Sequence, residues 1–418
     1  MSKQVHPNSF WRNVASVFTG TAVAQAIPLL GSLVIARQYL PADFGIFSAW
    51  LGMVTLLSVM LTGRFETVIA IEPDGEPRQK AFISTLATIL LTSSVAGVLL
   101  AAVYALGIDR NVAWMAHLSM PMAVALVPAS LSIAVGETWQ SLAVSEGKYR
   151  QLSIMRISQT LGIVLFQIAG GQLFGSASAL AIGHLLGVLT GISVSRYLLP
   201  PGSLPADIPG TIREFWIKHQ RFPKISLPAD AINTAAGQLP ILMVTSRFSP
   251  ELAGYLALTM KVLGAPIGLL GRAVLDVFKR HAASSYRERG ECRKDYLETL
   301  RVLAAGSLLF CVFMYFASEK LFGFAFGPRW REAGTLAVIF LPMFAMRFVA
   351  SPLSYIVYIA NKQHIDLIWQ ICLLVVTVVS LGVPSDPHLS LRLYSYSYSA
   401  LYIVYLVMSY KFSLGEKR

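Results

Sequence analysis

The sequence predicts an all-α integral membrane protein of about 12 transmembrane helices, set as two like-oriented six-helix bundles around a central cleft. Three observations carry that reading: a shortage of charge, long apolar runs, and a repeat at half the chain length. Only 13% of the 418 residues are charged and 55% are hydrophobic, with a mean hydropathy of +0.60. Ordinary soluble chains carry roughly 25% charge. A soluble fold of this composition would lack polar residues to coat its surface, so most apolar side chains must face lipid.

A spanning helix needs about 20 mainly apolar residues, because roughly 30 Å of hydrocarbon is crossed at about 1.5 Å per residue. Windows of that kind run over 13–36, 44–63, 81–106, 113–144, 152–174, 176–199, 227–246, 252–277, 300–318, 334–359, 365–383 and 391–410. The fourth is long, and Pro121 and Pro128 predict a kink or tilt. Between the sixth and seventh windows, Pro200-Pro201-Gly202 and Pro205 break structure, and Glu214-Phe215-Trp216-Ile217-Lys218 reads as a short interfacial helix. The domains expected are a lobe over 1–199, a cytoplasmic linker over 200–226 and a second lobe over 227–418. With the N-terminus inside, 25 of the 34 basic residues fall in inner connections or tails and seven in outer ones, while Lys261 and Arg347 lie within spans. That asymmetry predicts both termini in the cytoplasm. The net charge of +12 is therefore a topology signal, not a nucleic-acid footprint, with anionic phospholipid headgroups as its expected partners.

The repeat supports the two-bundle architecture. Pro28, Arg37 and Pro41-Ala42-Asp43-Phe44-Gly45 find counterparts in Pro240, Arg247 and Pro250-Glu251-Leu252-Ala253-Gly254. Gly63-Arg64 recurs as Gly271-Arg272, and Lys148-Tyr149-Arg150 more weakly as Lys362-Gln363-His364. The shared offset near 209 residues, half the chain, carries more weight than any single match. Six spans per half give both halves one orientation, as in transporter folds that work by alternating access.

Several classes are excluded or unsupported. There is no GxxxxGK[ST] loop for ATP, no HExxH or GxSxG, and no clustered metal ligands; no cofactor and no enzymatic activity are expected. Cys292, Cys311 and Cys372 have no metal or redox spacing. Ionisable residues inside spans are the functional candidates, because each is costly to insert. Arg64 is read either as an anion-binding residue at the inner mouth of the cleft or as a partner of Glu66 or a lipid phosphate. Arg272 is its repeat mate, with Asp276 at i+4 able to pair with it. Arg347 and Lys261 face either an anion or a carboxylate on another helix. Arg37 and Arg247 sit at outer helix ends, where a phosphate contact competes with ordinary interfacial placement. Gln25, Asn233 and Gln238 either line the cleft and bind sugar hydroxyls or join helices. Glu137 is a candidate ion-coupling site or a partner for an arginine, and His184 a packing residue. Tyr394, Tyr396 and Tyr398 read as an aromatic belt at the outer interface.

Thr62-Gly63-Arg64-Phe65-Glu66, Glu146-Gly147-Lys148-Tyr149-Arg150, and above all Arg221-Phe222-Pro223-Lys224 through Ala229-Asp230-Ala231-Ile232-Asn233 to Gln238-Leu239-Pro240 resemble the polysaccharide-biosynthesis flippases. These are Wzx-type translocases in the multidrug/oligosaccharidyl-lipid/polysaccharide exporter superfamily. Arg272 and Asp276 depart from the family pattern. The resemblance implies an inner-membrane flippase for undecaprenyl-diphosphate-linked O-antigen, capsule or exopolysaccharide units. It also implies lipid-linked oligosaccharide as the ligand, with the polysaccharide polymerase and chain-length machinery as further candidate partners. The rival readings are a cation-coupled multidrug antiporter of the same superfamily and an integral glycan polymerase or ligase.

Overall fold

The computed structural model describes residues 7–415 except 113, 203–206 and 361, and excludes the side chains of 7–22, 269, 272, 273, 276, 280 and 363. Its helices are α1 (Pro7–Gln38), α2 (Pro41–Thr62), α3 (Glu76–Ala105), α4 (Met120–Ser145), α5 (Tyr149–Leu173), α6 (Ala177–Leu198), α7 (Ile208–Lys218), α8 (Leu227–Arg247), α9 (Pro250–Pro266), α10 (Arg272–Arg289), α11 (Arg293–Phe326), α12 (Arg331–Leu353), α13 (Ile356–Ile359), α14 (Gln363–Gly382) and α15 (Pro387–Ser413). No strand occurs among the described residues. Eight helices, α2 to α6, α11, α12 and α14, are each long and apolar enough to cross a membrane. With α1, α8, the α9–α10 rod and α15, they make up the twelve crossing segments of an all-α membrane protein. The fourth begins later than its apolar run implies. Ser119 precedes α4, and Pro121 occupies its first turn, where a missing N–H costs no hydrogen bond. Only Pro128 is internal.

The chain divides into two compact units, Met1–Gly254 and Tyr255–Arg418, so the linker and α8 pack with the first. In the first unit, α5 and α6 approach closely because glycines face the crossing: a Cβ on Gly187 would lie 2.2 Å from the Ile163 amide nitrogen, and one on Gly183 2.9 Å from that of Gln167. Such small-residue seams suit helices that have no hydrophobic drive to associate in lipid. Buried polar ends are spent locally: the Tyr39 hydroxyl donates to the Gln167 carbonyl, Trp50 Nε1 to that of Met122, and Asp43 accepts from the first amide of α6. At the end where α2 stops, Phe65, Val68, Ile69, Phe82, Trp139 and Phe215 form an apolar core.

Arg78 anchors that end. Its buried guanidinium donates to the carbonyls of Ile69, Glu72 and Ser145 and pairs with Asp74. Arg78→Ala is expected to cost about 2–3 kcal/mol by orphaning those acceptors, read as a lowered unfolding temperature in detergent.

In the second unit, α11 and α12 pack across Gly334, whose Cβ would meet Glu319 Cα at 2.6 Å. Thr259 donates to the Ala333 carbonyl, joining α9 to α12. The side chains of α3 and α11 are the least enclosed of the apolar windows, each 17% buried; both are third crossings of their halves, and both present their apolar surface to lipid.

The repeated motifs hold locally at three of four places. Pro41 and Pro250 both start helices. Pro28 and Pro240 both lie inside helices whose last turns carry Arg37 and Arg247. Lys148 and Lys362 both precede a helix, each amide bonding the carbonyl five residues back. At the fourth place the copies part. Gly63 adopts φ 57° and ends α2, whereas Gly271 stays helical at the close of a π-turn, Ile267–Gly271, that runs straight into α10.

The Pro41 and Pro250 motifs also touch each other. A Cβ on Gly45 would lie 1.8 Å from the Pro250 carbonyl oxygen, and one on Gly254 1.9 Å from that of Pro41. Each copy's glycine thus receives the other copy's proline carbonyl.

Candidate functional site

Arg64 is the one non-glycine residue with positive φ among the described residues. Gly63 breaks α2 in the left-handed region and Arg64 follows at φ 62°, a conformation that costs an L-residue about 1–2 kcal/mol. Its amide donates to Thr62 Oγ1, and its carbonyl accepts from Thr67 Oγ1. A 3-10 turn, Phe65–Ala70, then leaves toward α3, and Ser141 of α4 donates to the Glu66 carbonyl. Strain held in place by this many contacts is commonest where geometry serves function.

The guanidinium so placed is neutralised. Its NH1 donates to Glu66 Oε1 at 2.9 Å, and its Nε lies 2.5 Å from Asp230 Oδ2 of α8. The expected pairing of Arg64 with Glu66 is present, and Asp230 joins it. Neither the Nε–H nor Glu66 Oε2 makes a hydrogen bond, although both are buried; the Asp230 contact is close but off the N–H direction. Glu137, exposed on α4, is within electrostatic reach of both Arg64 and Glu66. Two carboxylates therefore contact one arginine, and a third lies within electrostatic reach. Asp230 carries no sequence signal for this role, since its partner lies 166 residues away.

Lys261 and Arg347 are different. Neither forms an ion pair with any described residue. Lys261 is half-buried on α9, and Arg347 is exposed on α12, near Tyr394, Tyr398 and Tyr402. These tyrosines correct the aromatic-belt reading. Tyr394, Tyr398, Tyr402 and Tyr405 form one inward stripe on α15, with ring centroids 5.1 Å apart for the first pair and 5.6 Å for the second. Tyr396 faces outward. Spacing by four, visible in the sequence, was the signal; alternation by two concealed it. The Thr377 side chain lies beside Tyr394 and Tyr398 while its hydroxyl donates to the Leu373 carbonyl, and the Tyr405 hydroxyl donates to Asp366.

The remaining candidates fall apart from these clusters. Gln238 packs at Gly52 of α2 and joins helices. Asn233 is exposed and Gln25 half-buried. Arg37 is exposed on the last turn of α1, and Arg247 lies over the Phe248 ring. His184 packs against Phe47 and Trp50, with its Nε2 buried and not hydrogen-bonded. The side chains of Arg272 and Asp276 lie outside the described residues.

The expected interfacial helix is α7, and it docks on the first unit. Phe215 is buried beside Phe65, Trp216 Nε1 donates to Thr88, and Lys218 Nζ bonds buried Glu72 at 2.6 Å. His219 Nε2 is 2.8 Å from the same carboxylate oxygen. Burial pulls Glu72 upward, but Lys218 and His219 outweigh it and hold the carboxyl below its ordinary range. Burial pushes His219 below its ordinary value of 6.5, against the pull of Glu72. A group whose folded pKa is depressed stabilises above its unfolded pKa and loses that stability as pH falls. Docking of α7 should therefore weaken below about pH 6.5 for the histidine, and again below the carboxylate range. Hydrogen exchange of α7, corrected for intrinsic rates, should rise between pH 7 and 5, and His219→Gln should abolish that rise.

Comparison with known proteins matches this architecture. The profile of the family described as polysaccharide biosynthesis protein fits residues 34–335. Among solved structures, a lipid II flippase, MurJ, in an inward closed conformation aligns with TM-score 0.74 at 13% identity, over 94% of this chain and 87% of that one. An inward-facing multidrug resistance MATE family transporter of the MOP superfamily aligns at 0.63, with 12% identity and 93% of each chain covered. The MATE multidrug transporter DinF-BH aligns at 0.61, with 14% identity over 98% of this chain and 97% of that one. No curated protein sequence matches. At such identities the structures speak for the fold, whereas the profile spans most of the sequence: the chain belongs to the polysaccharide biosynthesis protein family.

Proposed function

We propose that the protein is a flippase that carries undecaprenyl-diphosphate-linked oligosaccharide from the inner to the outer leaflet of the bacterial cytoplasmic membrane by alternating access, with both termini in the cytoplasm. The observation that carries this reading is the pair of span cations, Lys261 and Arg347, that no described carboxylate neutralises. An uncompensated cation at membrane depth is held at a cost of a few kcal/mol, and a diphosphate is the kind of ligand that repays it. The tyrosine hydroxyls beside Arg347 offer partners for sugar hydroxyls. Outward movement of about two negative charges is favoured by an inside-negative potential, by roughly 2.3 kcal/mol per charge per 100 mV. Family membership supports the glycan, and the MurJ-like fold supports handling of a lipid-linked precursor.

A second reading, a cation-coupled antiporter, draws on Glu66, Asp230 and Glu137 around the single Arg64. Deleting the gene in its native host and measuring lipid-linked oligosaccharide separates the two. Accumulated intermediate with lost surface glycan supports the flippase; unchanged glycan with new sensitivity to cationic dyes supports the antiporter.

A further inference from the structure

Asp230 of α8 lies against the Nε edge of Arg64. Arg64 has two carboxylate partners of unequal standing. Glu66 follows it by two residues, is 9% exposed by side chain, and is fixed through its carbonyl to Ser141. Asp230 reaches in from another helix and is 36% exposed. Its seat is imperfect, because the Arg64 Nε–H is buried and unspent despite an oxygen 2.5 Å away. The helix that brings Asp230 is lightly held: no residue of α8 before Pro240 is buried, and a π-turn, Phe222–Ser226, precedes it. At the other side of the contact, Arg64 is immobilised by its left-handed backbone and its threonine hydrogen bonds. A fixed cation, a permanent counter-ion and a removable counter-ion on a loosely packed helix make a displaceable latch.

We propose that Asp230 is an internal stand-in for the phosphate of the ligand, and that a phosphate-bearing headgroup arriving at Arg64 displaces it and frees the first half of α8. This rests on the flippase reading for the identity of the ligand, but not for the latch. Exchange of one anion for another also adds less negative charge beside Glu66 and Glu137 than entry with Asp230 still seated would.

The test uses the full chain in phosphatidylcholine nanodiscs with farnesyl diphosphate as the probe, reading affinity and hydrogen exchange over 229–237. In the wild type, the probe should accelerate exchange there. In Asp230→Asn, exchange should already be fast and the probe should bind about fivefold tighter, the upper range for a part-exposed ion pair. Asp230→Glu should return both toward wild type, and Arg64→Gln should lose the response. Unchanged affinity in Asp230→Asn, or no change in wild-type exchange on probe binding, overturns the latch; the second needs no variant to fold. A response to added phosphatidylglycerol with none to farnesyl diphosphate assigns the seat to bulk lipid and also overturns it. Cellular lipid-linked intermediate is measured separately: a working latch without its accumulation on gene deletion discards the flippase reading and keeps the latch.

Discussion

Replacing Lys261 by Met and Arg347 by Gln together is expected to abolish transport while leaving the protein as stable as before, or more so. Both are span cations without an ion pair among the described residues, and charges at such depth cost about 2.5–3.5 kcal/mol each on insertion scales. Removing them returns part of that cost to the empty protein. The ligand loses by the same change, because truncating one partner of a desolvated charge pair weakens binding by about 2–5 kcal/mol, roughly 30-fold to several thousand-fold. Lipid-linked intermediate in cells and thermal unfolding in detergent are the two readouts. Lost transport with an unchanged or raised unfolding temperature is the expected result. Transport retained by the double variant would remove these residues from the mechanism, and a collapse of stability would make them structural.

The second large effect is at the reciprocal glycines. Gly45→Ala and Gly254→Ala each place a methyl group where a proline carbonyl oxygen already sits, at 1.8 and 1.9 Å. No rotamer relieves a Cβ, so the helices must separate, at a cost of about 3 kcal/mol or more, the upper end for overpacking. Because both clashes lie in one seam, the separation forced by the first alanine makes room for the second. The double variant should therefore cost clearly less than the sum of the singles, the signature of coupled sites. Gly97→Ala is the control: no atom lies within 4 Å of its Cβ position, and alanine's better helix propensity, about 1 kcal/mol, should make it neutral or stabilising. Unfolding temperatures of the four proteins decide the matter. Additive losses would mean that the two contacts yield independently.

What the sequence revealed follows from which interactions are local. Proline with an acid after it sets the starts of α2 and α9 through fixed φ and favourable N-terminal charge, so both starts were readable from Pro41-Ala42-Asp43 and Pro250-Glu251. The twelve crossings and the placement of Lys261 and Arg347 within them were readable because the membrane imposes length and apolarity on each helix separately. The late start of α4 was less so, since apolar residues before Pro121 satisfy the same hydropathy test in 3-10 turns. Of the candidate site, sequence identified the cations but not their fates. The Glu66 partner of Arg64 was in view two residues along, but its second partner, Asp230, reaches it across the first unit, a tertiary fact with no local trace. The tyrosine stripe lies between these cases: its spacing by four is present in the sequence, but Tyr396 superimposes an alternation by two.

The different endings of Gly63 and Gly271 have a further consequence. The two motifs read alike in sequence but end differently in structure. Here one copy stops its helix and spends backbone strain to hold an arginine in place, while the other continues through a π-turn into a long rod whose hydrogen bonding is locally loosened. The former copy ends in a fixed left-handed corner and the latter in an uninterrupted helical run. Equivalent positions of a repeated motif thus carry different backbone, and Gly271→Ala, at a helical φ, should be tolerated where Gly63→Ala, at φ 57°, should lower the unfolding temperature.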